Sequence, residues 1–97
     1  MNTVKNNKEK MRFEIVMNDE TAYLDYRFYH KSIAFMHTVV PAPLSGKGLA
    51  TTLAIYAFQY AKEYHMPVMV YCPFVSKFLK KNPVYREQLD PKYYHRG

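Results

Sequence analysis

The sequence predicts an α+β fold of order β-β-β-α-β-α, and three observations carry that prediction. Three strand-like segments joined by short polar connections come one after another before residue 41. A long stretch with apolar residues at helical spacing follows a glycine-bearing loop, over residues 49–64. A short, wholly apolar run then lies between Pro67 and Pro73. Consecutive strands with short links make an antiparallel meander, and an apolar run after a crossover helix makes a buried parallel strand.

The elements follow in chain order. Residues 1–10 are polar and lysine-rich and read as a flexible basic arm. Residues 11–17 are rich in strand formers, and Asn18-Asp19-Glu20 is suited to a tight turn. Over 21–29, Ala22, Leu24, Tyr26 and Phe28 alternate with Thr21, Tyr23, Asp25, Arg27 and Tyr29. That period of two is a half-buried strand. His30-Lys31-Ser32 turns the chain into a third strand over 33–40, which Pro41-Ala42-Pro43 ends. Leu49, Leu53, Tyr56, Ala57, Tyr60 and Tyr64 then recur every three or four residues without Gly or Pro, as a helix requires. A buried strand is expected over 67–72, and a second helix from Pro73 to Lys81 that Asn82-Pro83 stops. Residues 11–89 form one folded domain in this reading, and 90–97 a loose tail.

Composition narrows the classes. With 97 residues the chain has room for one small domain. Its apolar fraction of 48% supports a core, so general disorder is excluded. No apolar run approaches the length of a membrane span, and residues 1–10 lack the apolar core of a secretory signal. A reducing, cytoplasmic setting is therefore expected. Cys72 is the single cysteine, which rules out an intramolecular disulfide and a cysteine-based zinc cage. No histidine–carboxylate spacing suggests a metal site. The net charge of +6 suits a polyphosphate ligand as well as a nucleic acid. The absence of an aromatic–basic motif such as RNP1 disfavours the latter.

The chemistry concentrates between the third strand and the first helix. Ser45-Gly46-Lys47-Gly48-Leu49-Ala50 holds two of the three glycines, immediately before a helix start. Unpaired N–H groups in a helix's first turn, with the positive end of its dipole, make an anion site. Lys47 adds a mobile cation. The spacing fits neither the P-loop pattern, with lysine after a second glycine, nor the Rossmann fingerprint, which would need a small residue at Thr51. Taken alone, the loop is equally a plain turn before a core helix.

Four segments in order carry a resemblance: His37-Thr38-Val39-Val40-Pro41, Gly46-Lys47-Gly48-Leu49-Ala50, Tyr71-Cys72-Pro73-Phe74-Val75 and Asn82-Pro83-Val84-Tyr85. Together they resemble the short, single-domain GNAT-like N-acetyltransferase family of about ninety residues. The likeness runs from Met11 to Tyr85. It implies a minimal GNAT-like fold in which the two parallel strands splay apart around acetyl-coenzyme A. It further implies that Val39 and Val40 offer backbone bonds to the pantetheine. Ser45, Gly46, Lys47, Gly48, Leu49 and Ala50 would hold the pyrophosphate, although Ser45 stands where the family motif has Gln or Arg. Asn82 and Tyr85 would border the coenzyme arm; otherwise they are a helix stop and a packing aromatic.

The resemblance also bears on catalysis. Leu79 occupies the place where larger GNAT enzymes carry a proton-donating tyrosine, so Cys72 becomes the candidate catalytic residue. A helix start after Cys72 would favour its thiolate, which could take the acetyl group or assist proton transfer. The bland alternative is an apolar filler. His37 would act as general base for an amine or orient Cys72; the alternative is a hydrogen-bonded strand residue. The implied activity is acetyl transfer from acetyl-CoA to an amine on a small molecule or a protein, and the contrasting reading is a coenzyme-binding module without catalysis. A monomer or weak dimer is expected, with no membrane partner.

Overall fold

The computed structural model describes residues 3–92. Its elements are β1 (Lys5–Asn7), β2 (Arg12–Met17), β3 (Glu20–Tyr29), β4 (Ser32–Val39), α1 (Leu49–Glu63), β5 (Val68–Val70) and α2 (Pro73–Lys81). One sheet runs in the order β1-β2-β3-β4-β5. The first four strands are antiparallel, and β4 pairs with β5 in parallel. Parallel neighbours need a crossover, and α1 supplies it.

The sheet therefore has one strand more than the sequence indicated. Lys5–Asn7, within the stretch read as a flexible arm, pairs with β2 from Asn7↔Arg12 to Lys5↔Glu14. Nothing in the hydropathy of Lys-Asn-Asn marks a strand. Backbone pairing holds it, helped by the Tyr26 hydroxyl, which donates to Asn6 Oδ1 at 2.7 Å. At the other end, Asp90 is not loose. Its N–H donates to Val68 O at 2.8 Å, and its carboxylate accepts from the Ser32 hydroxyl. The rest of the expected tail, from residue 93, lies outside the described residues.

Local chemistry explains the turns. Asn18 and Asp19 both take left-handed φ, 51° and 64°, joining β2 to β3. A two-residue hairpin loop of this kind matches the twist of the strands, and Asn and Asp tolerate it best after glycine. At the end of α1, Met66 N–H reaches Ala61 O and His65 N–H reaches Lys62 O, with His65 at φ 57°. This is the double bond pattern that closes many helices, with histidine where glycine is usual.

The core lies between the sheet and the helices. Phe13, Leu24, Tyr26 and Phe35 on the sheet meet Leu53, Ala57, Phe58 and Ala61 of α1. The Phe13 ring is 5.3 Å from the rings of both Tyr56 and Tyr60, and Phe35 meets Phe58 edge-on at 5.3 Å. Phe78 of α2 stacks on Phe58 at 6.0 Å. Tyr64, counted on the apolar stripe by spacing, caps the helix beyond its last buried turn and is exposed.

Glu14 faces away from the helices yet is only 8% exposed. Burial pushes its carboxyl up, but hydrogen bonds from Arg12 and Asn7 and the nearby cations Arg12 and Lys10 outweigh this. The net effect holds it below the ordinary value of 4.5. A lowered carboxylate stabilises the fold above the unfolded-state value, and that contribution fades as pH falls through the folded one. Glu14→Gln is thus expected to lower the urea midpoint at pH 7, with parent and variant converging well below pH 4.5. In the opposite direction, His65→Gly is expected to raise stability by about 0.5–1 kcal/mol, read as a Tm increase of a few degrees.

Candidate active site at the splay of the parallel strands

The site begins with an irregularity in the ladder. Between β3 and β4, Tyr26 pairs with Phe35 but Asp25 pairs with His37, so Met36 is an extra residue on β4. A bulge bends its strand and increases local twist. Pairing between β4 and β5 covers only Ile33, Ala34 and Phe35 and stops at the bulge. There, Phe35 O accepts the N–H groups of both Tyr71 and Cys72, at 2.9 and 3.1 Å. Beyond it β4 continues over 36–39 without β5 beside it, and the two strands part as a wedge.

The glycine turn follows the end of β4. Pro41 and Ala42–Leu44 form a short 3-10 turn, and the Ser45 hydroxyl folds back onto Ala42 O at 2.9 Å. Gly46 and Gly48 take φ of 78° and 73°, and a Cβ on either would meet nothing within 4 Å. The backbone is therefore left-handed because the chain must turn there, and the space in front of it is open. Gly48 is the N-cap of α1, and no side chain caps the helix. Its first-turn amides therefore take no bond from a capping side chain. Lys47 is exposed beside them; Leu49 is buried, so it can contribute only its backbone.

The two faces of β4 separate the candidate catalytic groups. Residues directly opposite in an antiparallel ladder share a face. Thr38 pairs with Leu24, which is fully buried, and so faces the helices; His37 pairs with Asp25 and faces away. Cys72, the N-cap of α2, is 2% exposed and belongs to the core. Its sulfur makes no capping bond to α2 and instead lies 3.0 Å from Thr38 Oγ1, bridging the wedge. His37 is therefore on the other face of the strand from Cys72, whose side-chain partner is Thr38. The His37 N–H donates to Asp25 Oδ1 at 2.7 Å, and its ring Nδ1 stands 3.3 Å from Asp25 Oδ2.

Sequence and structure comparisons identify this architecture. A family model described as GCN5-related N-acetyltransferase matches residues 12–89. The chain belongs to the GCN5-related N-acetyltransferase family. It is 32% identical to Protein NATD1 of Bos taurus over 93 residues, covering 91% of this chain and 82% of the relative. Protein NATD1 of Homo sapiens is 30% identical with the same coverage. A Staphylococcus aureus protein solved by NMR and described as GCN5-like superposes with a TM-score of 0.69. It is 25% identical, with 97% of this chain and 96% of that one covered. Family and fold thus place the chain among the acyltransferases.

In this GCN5-related chain, the remaining expected residues have structural partners. Asn82 ends α2, its Nδ2 donating to Phe78 O at 3.0 Å. The Tyr85 ring packs against Phe58 and Phe78, at 5.1 and 5.2 Å. Asn82 lies at the far end of α2 from Cys72, about 15 Å along the helix, and Tyr85 follows beyond it. Leu79 is buried in the core. Val39 is exposed and Val40 half-buried on the wedge side of the turn. Thr38 and Asp25 escaped the sequence reading. Thr38 lay within a quoted motif, but only the register reveals its face; Asp25 became a partner of His37 through the bulge.

Among the described residues, no group of three metal-ligating side chains forms. No helix among them is long and apolar enough to cross a membrane. Gly48→Ala, with φ strained but no neighbour to clash, is expected to cost about 1–2 kcal/mol in urea unfolding and no more.

Proposed function

We propose that this chain binds acetyl-CoA in the wedge between β4 and β5 and transfers its acetyl group to an amine. The observation that carries this is the uncapped N-terminus of α1, with two open left-handed glycines, beside a length of β4 that β5 has left. These residues fit the coenzyme. Backbone amides of Gly46, Lys47, Gly48, Leu49 and Ala50 would bind the pyrophosphate, with Lys47 neutralising charge. Ser45, its hydroxyl turned back to Ala42, would act through its backbone. Val39 and Val40 would pair with the pantetheine amides, and Asn82 and Tyr85 would border the coenzyme arm. When bound, acetyl-CoA supplies an activated thioester.

In this reading, His37 takes a proton from the acceptor ammonium, freeing its lone pair for attack on the thioester carbonyl. Cys72 gives its thiol proton to the departing CoA thiolate. In the covalent route it instead takes the acetyl group as its proton passes to the CoA sulfur, and the amine then attacks that thioester and frees the thiol. Thr38 holds the sulfur in either route. The acceptor approaches over the uncovered face of the sheet, which suits an amine on a protein as well as a small one. The single unpaired cysteine fits a reducing compartment, the cytoplasm.

The burial of Cys72 and its bond to Thr38 favour a second reading, a coenzyme-binding module with little catalysis. Acetyl-CoA turnover with poly-L-lysine as acceptor separates the two. Catalysis through Cys72 predicts a loss of about a hundredfold or more in Cys72→Ala with coenzyme binding retained. Mass spectrometry of the parent with acetyl-CoA distinguishes an acetyl adduct on Cys72 from a proton-transfer role. Binding without turnover in either protein supports the module, and no binding at millimolar coenzyme removes both readings.

A further inference from the structure

We propose that Asp25 is a positioning residue that sets the tautomer of His37, leaving its Nε2 free to accept a proton. The proposal rests on the reading of His37 as the base. Its geometry comes from the bulge. At the register shift beside Met36, Asp25 Oδ1 accepts the backbone N–H of His37 at 2.7 Å. The second carboxylate oxygen then stands 3.3 Å from the ring's Nδ1. One side chain thus holds both the backbone and the imidazole of the same residue.

The chemistry follows from the donor inventory. A carboxylate only accepts, so the ring nitrogen facing it must carry the proton. In the neutral imidazole this makes Nδ1 the donor and Nε2 the lone-pair nitrogen. Among the described residues, Nε2 has no protein partner, and the His37 side chain is 68% exposed. Arg12, opposite Asp25 on β2, does not compete for the carboxylate. Its Nε is bonded to Glu14, and its guanidinium lies over the Tyr23 ring at 4.3 Å. An acceptor ammonium arriving on this face gives its proton to Nε2. The imidazolium so formed lies beside the Asp25 carboxylate and returns the proton to water.

Asp25→Asn is the discriminating variant. Asparagine keeps the size and can still accept the His37 N–H through its carbonyl oxygen. It turns an NH2 donor toward Nδ1, which then becomes the acceptor, and the proton moves to Nε2. A merely structural Asp25 would be satisfied by asparagine; a tautomer-setting one would not. Long-range 1H–15N correlation spectra of the neutral ring read the tautomer directly, in full-length protein whose amide spectrum confirms the fold. We expect Nδ1–H in the parent and Nε2–H in Asp25→Asn. Nε2–H in the parent, or the same tautomer in both proteins, would overturn the proposal.

Acetyl transfer from acetyl-CoA to poly-L-lysine supplies the second arm. Asp25→Asn and His37→Ala should each lower it at least tenfold, and the double variant should lose no more than His37→Ala alone. Unchanged transfer in His37→Ala refutes the base reading while leaving the tautomer result to decide the role of Asp25.

Discussion

The parting of two parallel strands governs the rest of this molecule. In a regular parallel pair, β4 and β5 would bond along their whole length, and the first turn of α1 would abut closed sheet. The extra residue Met36 prevents this. It bends β4 after Phe35, whose carbonyl takes two amides from the departing chain, and β5 ends at Val70. The open edge of β4, the glycine turn and the uncapped helix start are then brought to one place. The aromatic contacts between the sheet and α1 hold the fold beside this gap, and the same core reaches its inner end through Val70 and Cys72.

The same bulge divides the candidate chemistry between two sides of one strand. Thr38 faces the helices and meets the Cys72 sulfur; His37 faces the uncovered side of the sheet and meets Asp25. The arrangement suits a reaction with two substrates that must approach from different directions. An acyl donor lying in the wedge would have Cys72 and Thr38 on its inner side, and an amine would arrive past His37. Burial of Cys72 also limits what it can do: a residue at 2% exposure meets only a group already inserted in the wedge.

Much of this was legible in the sequence, for physical reasons that differ by element. β3 and α1 announce themselves because their apolar residues recur at the strand and helix periods, β2 and β4 because strand formers lie between turn residues, and Pro73 and Asn82 mark the ends of α2 almost to the residue. Gly46 and Gly48 are legible as a turn because few other residues take φ near +75° at low cost. β1 is invisible because its pairing is made by the backbone and a hydroxyl–amide bond, and neither leaves an apolar pattern. The bulge is likewise silent. Alternation of apolar and polar residues in 32–39 does not reveal which residue is extra, so neither the faces of Thr38 and His37 nor the service of Asp25 could be read. Asn82 and Tyr85 stood at matched positions, and their contacts are those of a helix stop and an aromatic packed against the core.

The central claim is that the wedge and the start of α1 form one coenzyme site. Amide chemical-shift mapping with coenzyme A tests it most directly, because each backbone N–H of the turn reports separately. The account predicts saturable shifts concentrated at Val39, Val40, Gly46, Lys47, Gly48, Leu49 and Ala50, with β1 and the hairpin at Asn18 and Asp19 unmoved. Absence of shifts at millimolar coenzyme, or shifts centred away from the glycine turn, would contradict it.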